Sequence, residues 1–400
     1  MTKNLTKNPE DKTEDKTNST FQTGRVMLLS LCHFIHDVYS SFLAPLLPFI
    51  IEKFSLSLTQ AGLLSTIMQI PALLNPYIGQ LADRISVRYF IILAPMLTAV
   101  PMSLLGLAPH YGVVMILLFL TGISVSLFHV PAPVMVYRVA GDKTGRGMSF
   151  YMTGGELART VGPIVIIAMV SLLGFEGYYP VMVIGIFASV VMFIKFKDIP
   201  LAVKQREAPS IGKTCREMKG VLAPLAAIVL FRGFMHASMG AFLPLYIIQK
   251  TNDIWLAGIS LSIYEAAGVA GILTIGTLSD RFGRKKMLLF CLVVAPMALL
   301  LFLNASGWLQ FPFLILSGFS LLSTTPVMLA MIQEYSQDGS SAANGVFMMI
   351  SFLARSAVVV LVGFVADMIG LEKTYTVCAM VGFLGIPFVL RIKKAPQTLT

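Results

Sequence analysis

Twelve stretches of this chain are apolar for close to the length of a membrane-spanning helix, and that feature alone removes most folds from consideration. They begin near Val26, Thr59, Arg88, Gly112, Gly147, Tyr178, Val221, Trp255, Met287, Leu309, Asn344 and Tyr375. A helix needs about 20 residues to cross roughly 30 Å of hydrocarbon, whereas a strand of a membrane barrel needs about ten with strict alternation. These runs are twice that length and do not alternate, so a barrel is excluded. With 56% hydrophobic and 12% charged residues and a mean hydropathy of +0.80, the chain has too little polar surface to coat a soluble globule. The expected fold class is all-α integral membrane with twelve transmembrane helices.

A net charge of +10 could suggest a nucleic-acid partner, but the positions of the charges give a different reading. With an even number of crossings, one side of the membrane receives both termini and 24 of the 30 Lys and Arg residues, and the other side receives only Lys53, Lys250 and Lys373. Excess Lys and Arg in cytoplasmic loops is the positive-inside signature. The chain is therefore expected in the cell inner membrane, multi-pass, with cytoplasmic N- and C-termini, a lipid bilayer around it and no nucleic acid bound.

Residues 1–25 are polar and read as a disordered cytoplasmic tail. The first apolar run continues to about Ile51, too long for a signal-peptide core, so it is expected to stay in the mature protein. Cys32, Cys291 and Cys378 fall in spans and Cys215 in a loop, none placed for a structural disulfide. The longest polar interruption, Lys195 to Lys219 with Pro200 and Pro209, divides the chain. The expected organisation is an N-terminal six-helix bundle over 26–197, a central cytoplasmic loop over 198–220, a C-terminal six-helix bundle over 221–391, and a tail over 392–400. A monomer is expected.

The halves repeat. Gly79-Gln-Leu-Ala-Asp83-Arg84 matches Gly276-Thr-Leu-Ser-Asp280-Arg281 at a spacing of 197 residues, Met152 with Leu157-Ala-Arg159-Thr160 matches Met348 with Leu353-Ala-Arg355-Ser356 at 196, and Pro48 matches Pro244. Two parallel repeats with a solute held near the midplane are the plan of major facilitator transporters. The Gly-x-Leu-x-Asp-Arg loops resemble that superfamily's signature, complete in the second copy as Phe282-Gly283-Arg284-Lys285-Lys286 and without the Gly-Arg-Lys ending in the first. The resemblance implies a conformational latch formed by Asp83, Arg84, Asp280, Arg281 and Arg284, through carboxylates bonded to helix ends and neighbouring Arg. Within the superfamily, residues 33 to 165 resemble the fosmidomycin-resistance branch of bacterial drug:proton antiporters. The residues carrying this are Asp37 with Tyr39-Ser40-Ser41 and Pro45, Phe128-His129-Val130-Pro131, and Ser149, Tyr151, Gly154 and Gly155 leading to Gly162-Pro163. That resemblance implies alternating access, proton-driven efflux and a contribution to antibiotic resistance.

Six charges remain inside apolar runs: Arg159, Arg232, Arg355, Asp37, Glu156 and Glu265. Each lies near the centre of its span. Unpaired, the set would cost roughly 15 to 20 kcal/mol to insert, more than the ~5 to 15 kcal/mol net stability of a domain, so these groups must pair, neutralise or line a wet cavity. Glu156 and Arg159, at i and i+3, share a helix face and can satisfy each other. Arg355, flanked by Phe352, Met348 and Val359, and Arg232, flanked by Ile228, Phe231 and His236, have no such acidic partner on the same face of their own helices. A mid-membrane guanidinium matches a carboxylate, phosphate or phosphonate in two parallel bonds. Arg355, Arg232 and Arg159, with His129 and His236, are therefore the candidate substrate ligands; Asp37, Glu265, Glu156 and His36 are the candidates for proton coupling. His33 could line the same pathway or bond to a backbone carbonyl. The histidines show no zinc-ligand spacing, so no metal is expected.

Residues and resemblance together predict a secondary antiporter that exports a small anionic, zwitterionic or amphipathic compound in exchange for protons. Uptake or exchange of an organic or inorganic anion is the rival within transport, and a non-transporting receptor or scaffold the rival of another class. No phosphate-binding loop is present to use ATP and no cofactor is implied. The intramembrane charges include no nucleophile–base pair, so an enzyme is not expected.

Overall fold

The computed structural model describes residues 21–75, 77–78, 88–141, 144–197, 216–335 and 341–392. Every regular element among them is helical. Eleven helices are long and apolar enough to cross a membrane: α1 (Thr23–Phe54), α3 (Arg88–Leu107), α4 (Tyr111–His129), α5 (Arg146–Leu173), α6 (Tyr179–Phe196), α7 (Lys219–Ala241), α8 (Ile254–Phe282), α9 (Arg284–Asn304), α10 (Gly307–Ile332), α11 (Val346–Ile369) and α12 (Leu371–Arg391). The shorter apolar helix α2 (Leu58–Leu74) completes the twelve. Asp83 and Arg84 of the expected latch, Cys215 and most of the expected central loop lie outside the described residues.

Outward faces of these helices are apolar. On α6, Val183, Ile184, Phe187, Val190 and Ile194 recur at helical spacing and are all exposed, which in water would be an aggregation surface and in lipid is the expected contact. Proline sets the local breaks. α4 stops at His129, and a separate helix, Ala132–Ala140, begins directly after Pro131. Pro163, by contrast, sits inside an uninterrupted α5.

The buried apolar residues form three groups, and their distribution gives the state of the molecule. One group lies in the N-terminal half, around Val26, Leu29, Ile91, Phe128 and Phe196. A second lies in the C-terminal half, around Val221, Leu225, Leu288, Met328 and Val389. Both sit toward the described chain ends. The third is continuous across both halves, joining Leu46, Leu47 and Ile166 to Tyr246, Leu261, Val359 and Tyr375. Among the described residues, the halves thus share one core at the end remote from the chain ends and have separate cores toward the other.

Backbone contact and one carboxylate make that seal. A Cβ at Gly62 would lie 2.7 Å from the Val359 carbonyl oxygen, and one at Gly258 would lie 2.9 Å from the Ile167 side chain and 3.4 Å from the Pro163 carbonyl. These glycines let α2 meet α11 and α8 meet α5 at backbone distance. At the start of α2, the Ser57 hydroxyl accepts from the Gln60 amide. Asp367 of α11 adds a cap from the other half: its carboxylate accepts from the Leu58 amide at 2.7 Å, the Thr59 amide at 2.9 Å and the Thr59 hydroxyl. An acid at a helix N-terminus satisfies amides that have no partner within the helix and meets the favourable end of its dipole.

Candidate transport site

α1 carries His33, His36 and Asp37 at spacings of three, one and four residues, so all three side chains lie on or beside one helix face. α5 approaches that face closely because it is lined with glycine: a Cβ at Gly154 would lie 2.3 Å from the Ser30 carbonyl oxygen, and one at Gly155 would lie 2.5 Å from His33 Cε1 and 3.1 Å from Asp37 Oδ2. α4 contributes His129 from its last turn. The result is a carboxylate, 4% exposed, surrounded by three imidazoles. His36 Nδ1 donates to Oδ1 at 2.8 Å, His129 Nε2 stands 3.1 Å from the same oxygen, and His33 Nε2 stands 3.3 Å from Oδ2. Tyr151 stacks on His33 at 4.0 Å and Phe128 on His36 at 4.4 Å, which fixes the ring planes.

The C-terminal half holds a site of opposite sign. A small cavity is lined by Val229, Arg232, Gly233, His236, Ser351 and Arg355. Arg232 is 5% exposed; its Nη2 donates to Thr325 Oγ1 at 2.9 Å, while its Nε and the Nδ1 of His236 are buried without a hydrogen-bond partner. Arg355 lies over the Phe352 ring at 5.8 Å and acts electrostatically on both Arg232 and His236. No acid lines this cavity. Two cations and the unpaired Arg232 Nε–H face one space of about 10 Å³, room for no more than one water, in an environment that favours negative charge.

Between the two sites, Glu156 and Arg159 form the i, i+3 ion pair expected from their spacing. The Arg159 side chain is 45% exposed although it sits mid-span, so it faces the gap between the halves rather than lipid. Glu265 of α8 is half-buried and within electrostatic reach of Arg159, Glu156 and Arg355. The expected six intramembrane charges therefore fall into an Asp37 group, an Arg232/Arg355 group and a bridging group of Glu156, Arg159 and Glu265. His129, expected as a substrate ligand, is placed against Asp37 and not among the residues lining the arginine cavity.

Toward the chain ends, Gly283 turns the chain between α8 and α9 with φ of +95°, a conformation that disfavours a side chain. The turn brings Arg284 Nη2 to Asp280 Oδ1 at 2.5 Å. Arg284 also donates to Ser279 Oγ at 2.6 Å and to Glu334 at 2.8 Å, just beyond α10. All three partners belong to the C-terminal half, so in this state the cluster ties α8, α9 and the end of α10 to one another. Arg281 is exposed.

His33, expected to line the pathway or to bond a backbone carbonyl, lies against the Tyr151 carbonyl oxygen, and its i, i+4 relation to Asp37 brings it to the carboxylate as well. Asp367 carries no signal in the sequence, because a charge at a helix end needs no special account.

Spans, repeat and seal define a class of protein, and the chain belongs to the Major Facilitator Superfamily, whose family model matches residues 29–273 and, in an overlapping second match, 225–400. It is a multi-pass membrane transporter, not an enzyme. Among curated proteins it is similar to the Fosmidomycin resistance protein of Escherichia coli strain K12, with 24% identity over 379 residues covering 92% of this chain and 93% of that one. It is also similar to the Multidrug resistance protein MdtG of Salmonella paratyphi C, with 25% identity over 286 residues covering 67% and 69%. Its fold is similar to that of a bacterial homologue of the human lysosomal transporter Spinster in an inward-facing, unoccupied conformation, with a TM-score of 0.75 at 14% identity, covering 94% of this chain and 96% of that one.

Proposed function

We propose that this transporter exports a small compound carrying an oxyanion, zwitterionic or amphipathic in character, across the cell inner membrane in exchange for protons, acting as a monomer with both termini in the cytoplasm. The observation that carries the substrate class is the acid-free cavity between Arg232 and Arg355, with the unpartnered Arg232 Nε and His236 Nδ1 beside it. Export is supported by the resistance names of the relatives at 24% and 25% identity. Among the described residues the halves have separate cores toward the chain ends; with cytoplasmic termini, an opening there would face the cytoplasm, a route for loading that supports this reading.

Glu265 carries the coupling proton. Ionised, it competes with substrate for Arg355 and Arg159; protonated, it leaves them free. The consequence depends on the substrate. A zwitterion that places its oxyanion on Arg232 and Arg355 and its donor or cation on Glu265 displaces the proton, which gives antiport. A pure anion leaves Glu265 facing added negative charge and holds the proton in place, which gives symport and therefore uptake. That electrostatic relation is what favours the second reading, anion import.

Proton exchange on binding separates the two. Purified protein in weakly buffered detergent solution would be titrated with a panel of carboxylates, phosphonates, their amino-substituted forms and cationic drugs. Release of about one proton on binding of an amino-substituted oxyanion is the expected result. Proton uptake on binding would replace export by import, and thermal stabilisation by cations alone would remove the oxyanion site.

A further inference from the structure

The Asp37 group contains a contact that a neutral imidazole and a carboxylate do not explain. His33 Nδ1 lies 2.7 Å from the Tyr151 backbone carbonyl oxygen, which can only accept, so Nδ1 carries the ring proton. Nε2 of a neutral ring then presents a lone pair, yet it faces Asp37 Oδ2 at 3.3 Å, a carboxylate oxygen that also only accepts. Two acceptors meet in a pocket where both residues are 4% exposed. A cation must lie between them, either a proton or a metal ion.

Four observations favour the metal. First, a third donor is present: His129 Nε2 is 3.1 Å from Asp37 Oδ1, and the ligand atoms of His33, Asp37 and His129 all lie within 4.8 Å of one another. Around a zinc-sized ion, with ligand distances of ~2.0 to 2.1 Å, the edges of a tetrahedron are roughly 3.3 Å; each imidazole nitrogen stands about that far from one oxygen of the carboxylate, His129 from Oδ1 and His33 from Oδ2, so a modest inward shift of the rings would close the three donors on one ion. Second, the outer contacts are those of a held site. His33 gives its other ring N–H to a backbone carbonyl, and the carboxylate is oriented by His36 Nδ1–H at 2.8 Å, the supporting bonds that metal ligands use. Third, the space beside the donors is kept clear, because a Cβ at Gly155 would stand 2.6 Å from His33 Nε2. Fourth, the His129 side chain is 37% exposed, which leaves a way in.

We propose that His33, Asp37 and His129 form a binding site for one divalent transition-metal ion of the zinc class, with a fourth position open on the His129 side. Two imidazoles and one carboxylate suit Zn²⁺, Co²⁺ or Ni²⁺; Ca²⁺ and Mg²⁺ take oxygen ligands. This site shares no residue with the arginine cavity, so its failure would leave the substrate reading standing, and the reverse.

The test uses full-length protein purified in detergent, stripped with chelator, and equilibrated with Zn²⁺ before desalting and metal analysis. About one retained equivalent is expected, falling at least tenfold in His129→Ala and His33→Ala and unchanged in Arg355→Lys. His129→Ala removes the most exposed of the three donors, and its elution profile and melting temperature show whether it is folded. Co²⁺ gives an independent readout: a tetrahedral visible band in the wild type, absent in His129→Ala. Wild-type protein that retains no more Zn²⁺ than folded His129→Ala, and develops no such band, would overturn the site and assign the cation to a proton.

Discussion

The two halves carry matching motifs at a spacing of 196 or 197 residues, yet their central sites differ in sign. Shifted by 196 positions, His36 corresponds to Arg232, Asp37 to Gly233, Gly155 to Ser351 and Arg159 to Arg355. In the N-terminal copy the first and fifth helices enclose a carboxylate among imidazoles; in the C-terminal copy the seventh and eleventh enclose two guanidiniums. The backbone plan is the same, and the difference is made by a few side chains. One half gathers a buried carboxylate and the other two guanidiniums, with Glu156, Arg159 and Glu265 between them. Repeats in this fold therefore supply matched positions, while chemistry at each position is free to diverge.

The largest effect is expected at the bridge. Glu265→Gln should reduce pH-gradient-driven accumulation in vesicles to that of protein-free controls while ligand still stabilises the protein thermally, because a neutral amide keeps the shape of the protonated acid. Retention of gradient-driven accumulation would move coupling elsewhere. Next in size is Arg355→Lys, which keeps the charge and loses the fork. Oxyanion affinity should fall by about 1.5 to 3 kcal/mol, roughly ten- to a hundredfold, with folding intact; unchanged affinity would remove Arg355 from the site.

Packing gives the third prediction. Gly155→Ala places a methyl against His33 and Asp37 and should lower stability by about 1 to 3 kcal/mol. Its counterpart Ser351, whose hydroxyl bonds its own helix at Phe347, should accept alanine with a change within ~0.5 kcal/mol. Melting temperatures of the pair decide this, and equal shifts would mean that the copies are packed alike. The smallest effect is expected for the ion pair. Arg159→Ala strands Glu156 and should destabilise by ~1 to 2 kcal/mol, below the range for a fully buried pair because Arg159 is half-exposed. Arg159→Ala combined with Glu156→Ala should recover most of that loss. A double mutant no more stable than the single would show that the two do not act as a pair.

Much of this was legible in the chain. Span length and charge asymmetry give the helices, and the repeated motifs give the two halves, because both are properties of local composition. The Glu156–Arg159 pair was legible for the same reason: i, i+3 spacing on a helix fixes a contact without any tertiary information. The Asp37 group was only partly so. His33 and Asp37 share a face by spacing, but His129 arrives from α4, 92 residues later, and the room for His33 and Asp37 depends on Gly155, whose purpose appears only when α5 lies on α1. Asp367 was not legible at all, since its partners are backbone amides, which every residue has.

That last contact has a consequence for how the sealed end opens. Asp367 holds three donors of α2, and the two amides, at the first turn of the helix, have no acceptor within it. Water must take its place on both sides of the break, so solvent is a reactant in the step. The opening rate should then depend on water activity, slowing in concentrated sucrose or other excluded osmolytes, and Asp367→Asn, with one weaker acceptor left, should lessen that dependence. A labelled cysteine near Thr59 would follow it.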